Sequence, residues 1–264
     1  MRFIICLLLS ALLTDIVCAH DLWLIPPERA EPGKVVKIVA HSGDLFPKSE
    51  QAPDPSNFVK RRVLHPDGTE HEMTADGTKE QSGLMRFSPE KPGVHLVAIE
   101  TKPKHIKLEA AAFNEYLVSD GLAHIYRLRH MEKSLDQPGA EQYQKSPKAI
   151  FLVGKGEGDP CRVMGLTLEI VPKKNPLELK VGETLPVFVL FKGKPLAEAN
   201  LGWDWPGAGE RPRGTARTDT KGEALVPIAC AGLMTIRLTH MTRPKAAEYE
   251  WESFWTTLTF RTGD

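Results

Sequence analysis

A histidine at the start of a mature chain is a chelator by itself, because its α-amine and its imidazole can both reach one ion. Both groups surrender a proton readily to a competing metal near neutral pH. His20 is expected to occupy that position. Arg2 supplies a short positive region, Phe3 to Leu13 is an apolar run, and Val17-Cys18-Ala19 has the small-residue pattern that signal peptidase accepts. A bilayer takes about 20 apolar residues to cross, and Thr14-Asp15 interrupts this run first. Residues 1–19 therefore read as a cleaved export signal, and the mature chain as periplasmic or secreted and not itself membrane-spanning.

One residue supplies at most two donors, so a site needs others. His41 or His240, each at the end of a strand-like segment, is expected to complete it with His20. His95 is a further nitrogen candidate, and Asp21 and Asp44 are oxygen candidates. Such a nitrogen-rich set suits copper(II) or nickel(II). Position 22 is Leu, so the copper- and nickel-binding tripeptide with a third-position His is absent. His124 and His130 lie on a helical stretch and read as solvated. Trp203, Trp205, Trp251 and Trp255 raise a competing idea, a sugar-stacking face, although such rings more often fill a sandwich core.

Motifs for catalysis are missing. There is no Gly-x-Ser-x-Gly elbow, phosphate loop or dinucleotide fingerprint. His71-Glu72 begins like a zinc-protease motif, but position 75 is Ala. Gly154 to Gly158 is glycine-rich without the Lys-Ser/Thr that would hold phosphate and magnesium. The chain reads as non-enzymatic, with no catalytic residue and no organic cofactor assigned. Its 34 basic and 34 acidic residues cancel, which excludes the basic footprint of a nucleic-acid binder.

The elements that must position these residues are mostly strands. With 21 Gly, 21 Pro and 7% aromatic residues, the composition favours short strands and turns over long helices. Strand segments are expected at 22–25, 34–40, 58–64, 84–87, 94–101 and 148–153. A helical insertion interrupts them at about 108–134, broken at Ser119-Asp120-Gly121. From residue 166 strands recur about every ten residues, at 167–171, 184–191, 199–205, 215–218, 224–228, 234–240 and 254–261, which implies a β-sandwich. The expected architecture is mainly β: a β-rich segment at 20–165 carrying the helical insertion, then a sandwich at 166–264. Removal of the signal would leave Cys161 and Cys230, either bridged or free.

Several segments, in order along the chain, resemble a family of exported bacterial proteins once labelled the nickel-uptake substrate-specific component family. They are Ala19-His20-Asp21-Leu22-Trp23-Leu24, Gly43-Asp44-Leu45-Phe46-Pro47, Phe113-Asn114-Glu115-Tyr116-Leu117 with Asp120-Gly121-Leu122, and Glu141-Gln142-Tyr143 with Lys148. In the second half they are Leu168 to Pro172 with Asn175-Pro176, Gly193 to Leu196, Thr218 to Gly222, and Trp251-Glu252-Ser253. The resemblance implies an immunoglobulin-like or transthyretin-like C-terminal sandwich and an association with uptake of nickel, cobalt or another transition metal. Of the candidate ligands it carries over only His20. A mature N-terminal His on a β-sandwich is also similar to periplasmic copper carriers and to copper-dependent oxygenases. Three readings follow: a metal-binding protein serving a membrane metal permease, an envelope structural or carbohydrate-binding module, and a copper-dependent oxygenase.

Overall fold

The computed structural model describes residues 20–207, 213–245 and 248–263. The expected export signal, with Cys6 and Cys18, lies outside the described residues. In chain order the elements are β1 (Asp21–Ile25), β2 (Val36–Gly43), β3 (Phe58–Leu64), β4 (Glu70–Glu72), β5 (Thr74–Lys79), β6 (Ser82–Phe87), β7 (Gly93–Thr101) and β8 (Lys104–Leu108). Two helices follow, α1 (Ala110–Ser119) and α2 (Ala123–Met131), then β9 (Gly139–Lys145) and β10 (Lys148–Val153). The remainder is β11 (Leu168–Pro172), β12 (Thr184–Phe191), β13 (Lys194–Pro195), β14 (Asn200–Asp204), β15 (Gly214–Arg217), β16 (Glu223–Pro227), β17 (Gly232–Thr242) and β18 (Trp251–Thr262).

Successive side chains of a strand point to opposite faces of its sheet, and the two longest strands show what each face meets. The even positions Met234, Ile236 and Leu238 of β17, and Phe254, Leu258 and Phe260 of β18, join a core with Leu185, Val187 and Val189 of β12 and Val226 of β16. The odd positions face elsewhere. Leu233 packs with Trp23 and Phe46, and Met241, Trp251 and Trp255 pack with Phe113, Leu117 and Ile125 of the helices. Strands β7 and β10 repeat the division. Leu96, Ala98 and Ile150 join the first core, while Val97, Ile99, Ala149 and Phe151 pack on Leu24, Ile38 and Met85.

A ten-stranded sheet therefore lies at the centre, ordered β15-β14-β17-β18-β10-β7-β3-β4, with β9 pairing β18 and β8 pairing β9. A four-stranded sheet, β1-β2-β6-β5, covers one face together with the helices, and β11, β12, β13 and β16 cover the other. The mainly β class holds, and two helices occupy the expected insertion. The expected sandwich is present as well. One of its sheets, however, continues into strands from before residue 165, because β18 pairs in parallel with both β9 and β10. The segments 20–165 and 166–264 thus share one sheet.

Polar groups are built into this core. The Lys148 ammonium on β10 and the Glu169 carboxylate on β11 meet at 2.8 Å, both almost wholly buried. Glu169 also accepts the backbone N–H groups of Met164 and Leu166, at 2.8 and 3.1 Å. This ties the entry of β11 to the central sheet. His240 sits on the sandwich side of β17 with its ring edge-on to Phe191, 4.6 Å between centroids. Burial, helped by the charges of His124 and Lys192, pushes it down to about 4.

Two measurements follow. Lys148→Met strands the Glu169 charge inside, so it is expected to cost about 3 kcal/mol in urea denaturation, much of it recovered in a Lys148→Met/Glu169→Leu double variant. A single variant as stable as the parent would contradict the pairing. For His240, the unfolded imidazole takes a proton below a pH of about 6.5, while the folded one resists until about 4. Its contribution is complete above the first value and is lost as pH falls through that window. His240→Gln is expected to flatten the parent's loss of stability between those pH values by about 2 kcal/mol, after allowance for partial exposure. Parallel pH curves would refute it.

Candidate metal centre

The site is assembled where β1 begins. Strand β1 pairs antiparallel with β2, setting Asp21 opposite Gly43. The chain then leaves β2 through residues 44–50 and returns, with Gln51 bridged to Ser42. Glu50 N–H donates to the Ser42 carbonyl at 2.8 Å. Asp44 N–H donates to Glu50 Oε1 at 3.1 Å, and the Ser49 hydroxyl donates to the Gln81 carbonyl at 2.5 Å. The Phe46 ring anchors the loop by packing on Trp23, 5.4 Å between centroids. At Gly43 an added Cβ would lie 2.9 Å from the Lys48 carbonyl oxygen, so the loop closes tightly on a residue without a side chain.

This return places two carboxylates over His20. Its Nε2 is 3.0 Å from Glu50 Oε2 and 3.8 Å from Asp44 Oδ2. The Gln51 side-chain amide stands 3.1 Å from Nδ1. An amide N–H can only donate, so Nδ1 accepts and Nε2 carries the proton that Glu50 takes. His20, Asp44 and Glu50 each present a ligand atom within 4.8 Å of the others, and among the described residues this is the only such group of three. The His20 ring is 16% exposed while both carboxylates are over 40% exposed, so the group opens to solvent on its acidic side.

Beneath it the supports are buried. The Lys145 ammonium donates to the His20 carbonyl. Arg237 of β17 reaches across to β1: its Nε donates to Asp21 Oδ2 at 2.5 Å and its Nη2 to Asp21 Oδ1 at 3.3 Å. Nη2 also donates to Asp120, which caps the C-terminus of α1. The two carboxylates outweigh burial and hold the guanidinium charged far above its ordinary range. Burial lowers Lys145 to about 8, against the pull of Asp21 and Asp120. Burial likewise raises Glu141 to about 8, and the Tyr116 hydroxyl donates to it at 3.2 Å. Tyr116 stacks on Trp255 with centroids 5.5 Å apart. Beside this network a cleft of about 170 Å³, with Ser42, Gln51, Tyr143, Lys104 and Lys145 on its walls, reaches the His20 contacts.

The expected partners fall differently. His41 is one strand away, but Nδ1 is held by the Pro47 carbonyl at 2.8 Å and Nε2 by the Ser82 hydroxyl at 3.0 Å. His240 lies three residues from Arg237, hence on the opposite face of β17 from β1. Neither belongs to the ligand group. His95 is buried in another cluster, bonded to the Gly93 carbonyl at 2.9 Å and to His65 at 3.2 Å. Asp21 serves Arg237. Asp44 is in place, and Glu50 is the candidate ligand that sequence reading missed. Its only signal was its position just beyond the turn that carries Asp44 and Pro47. No second imidazole joins the group, whereas a copper oxygenase needs one beside the first. Trp203, Trp251 and Trp255 are core residues, and the Arg213 guanidinium covers the Trp205 ring at 4.3 Å, so these four rings do not form an open stacking face. Cys161 and Cys230 are both free thiols.

No curated protein matches the chain. Among solved structures it is similar to a Salmonella alpha-2-macroglobulin mutant, at 13% identity and TM-score 0.24, over 90% of this chain and 14% of that one. It is also similar to the D00-D0 domain of Intimin, at 10% and 0.21, over 90% and 98%. A third is Escherichia coli alpha-2-macroglobulin activated by porcine elastase, at 12% and 0.25, over 91% and 20%. The chain spans a small fraction of the two macroglobulins, and likeness at these scores carries no functional meaning. The family model for a domain of unknown function, DUF4198, matches residues 17–242, and the chain belongs to that family.

Proposed function

We propose that this is an exported, non-enzymatic binding protein that holds a transition-metal ion, nickel, cobalt or copper, at the His20 end and delivers it to a membrane partner such as a metal permease. The observation that carries the reading is the convergence of His20 Nε2, Asp44 and Glu50 within coordinating reach of one point. An ion there would take the lone pair that Nε2 has in the other neutral tautomer, with the ring proton moved to Nδ1. It would take one imidazole nitrogen and two carboxylate oxygens, leaving positions open for water or an acceptor's ligands. Gln51, with its side-chain amide turned so that its oxygen accepts from Nδ1–H, would orient the ring in the way that metal-bound imidazoles are usually oriented through their second nitrogen.

The geometry also bears on the α-amine. An amine chelates together with Nδ1 of its own ring, whereas here Nδ1 faces Gln51 and Nε2 faces the carboxylates. The two nitrogens point to opposite sides of the ring, so one ion cannot use the amine with Nδ1 and the carboxylates with Nε2. The arrangement favours the carboxylate mode.

The test is titration of a chain beginning at His20 with Ni²⁺ and Co²⁺, followed by calorimetry. Asp44→Asn/Glu50→Gln is expected to weaken binding at least tenfold, and an extra N-terminal Met to change it little. Equal affinity of the double variant and the parent would defeat the carboxylate site. A large loss on adding Met alone would assign the ion to the amine and Nδ1 instead.

A further inference from the structure

Strands β4 and β7 and the residue after β3 carry a second group of imidazoles that the His20 reading leaves unused. Val63 of β3 is opposite His71 of β4 on one side and Val97 of β7 on the other. His65, two residues beyond Val63, and His95, two before Val97, consequently fall on the same face as His71. The ring planes of His65 and His71 are inclined by 67° with centroids 4.8 Å apart, and the centroids of His65 and His95 are 5.0 Å apart. His65 and His71 line a cavity of about 340 Å³, with Phe87, Arg86 and Glu72 around them.

Hydrogen bonding settles which nitrogens hold protons. The Gly93 carbonyl only accepts, so His95 Nδ1, 2.9 Å away, is protonated. Burial keeps His95 neutral by lowering its proton affinity, so its Nε2 is a lone pair. That lone pair lies 3.2 Å from His65 Nδ1, which must therefore be the donor. His65, itself lowered chiefly by burial, is neutral too, and its remaining nitrogen, Nε2, is a lone pair. His65 is 7% exposed, and this Nε2 is buried without a hydrogen-bond partner among the described residues. A carbonyl-to-His95-to-His65 relay thus fixes the tautomer of a ring that lines the cavity, as second-sphere partners do for metal-bound histidines.

We infer that His65 Nε2 and His71 form a second binding site, independent of His20, for a nitrogen-preferring divalent transition-metal ion. Two imidazoles sharing one ion at about 2 Å per nitrogen and a tetrahedral angle have centroids about 5 Å apart, a spacing that the 4.8 Å between these rings allows. An anion is the wrong guest, because it would face a lone pair. Arg86, the cation of the cavity wall, is already paired with Asp76 at 3.3 Å, and Glu72 is paired with Arg61. With two protein nitrogens the ion keeps open positions toward the cavity mouth.

The test uses Zn²⁺ as probe and the Asp44→Asn/Glu50→Gln chain as background, so that the His20 group does not contribute. Calorimetry is expected to find one ion bound. Ring-nitrogen NMR is expected to show His65 Nε2 and one His71 nitrogen shifting on titration while His95 Nδ1–H persists. His71→Ala, at an exposed position, should leave the circular dichroism spectrum unchanged and weaken that binding at least tenfold. Unmoved His65 and His71 resonances, or unchanged affinity in His71→Ala, would overturn the inference. Failure of the His20 reading would appear separately, as identical Ni²⁺ titrations of the parent and the background variant.

Discussion

One guanidinium joins the three parts of the molecule that meet at His20. Arg237 rises from the central sheet, grips Asp21 at the start of β1, and holds Asp120 at the end of α1. All three side chains are more than nine-tenths buried. An isolated charge in such surroundings would be very unfavourable, so the group is stable only as a set. That requirement links elements far apart in sequence, since Asp21 and Arg237 are separated by 216 residues. Hydrophobic packing would tolerate a slide of β1 along β2 more readily than this bidentate contact does, because a one-residue shift would turn Asp21 away from Arg237.

The same corner shows why the segments that resemble a known family are dispersed yet belong together. Asp21 and Asp120 meet Arg237, and Tyr116 meets both Glu141 and Trp255. Trp255 Nε1 donates to Ser253 at 3.0 Å. Gly139 lets the chain pass against the Phe113 ring, where a Cβ would lie 2.3 Å from ring carbons. Gly121, at φ +75°, lets the chain turn just after Asp120. What recurs along the chain as short polar-aromatic motifs is in space one buried network under the candidate site.

Legibility followed the chemistry of the inward face. The strands at 58–64 and 184–191, whose buried positions are apolar, were readable to the residue, and so was 148–153 despite the buried Lys148 that opens it. Strand β9 was not, because its odd positions are Gly139, Glu141, Tyr143 and Lys145, and charges facing inward imitate a surface loop. Strand β5 escaped notice for the opposite reason, being exposed along its length. At the site, His20 and Asp44 could be named from type and position. Glu50 could not, since its approach depends on the return that pairs Gln51 with Ser42. Alternation in β17 was visible, but nothing local says which face meets β1. That choice separates Arg237 from His240.

In the proposed reading His20 is a ligand at the end of the mature chain, normally a poor one, because ordering it on binding costs conformational entropy that the new bonds must offset. Here folding itself does most of the ordering. The His20 carbonyl is held by Lys145, the next residue by Arg237, and the ring by Gln51 and Glu50. The carboxylates are held in turn by a loop tied to Ser42, Gln81 and Trp23. A set of one imidazole and two half-exposed carboxylates is modest in donor strength, so in the proposed reading affinity would come from this preorganisation. It would also leave the ion accessible, with weak oxygen ligands on the solvent side, which suits release to an acceptor better than permanent retention.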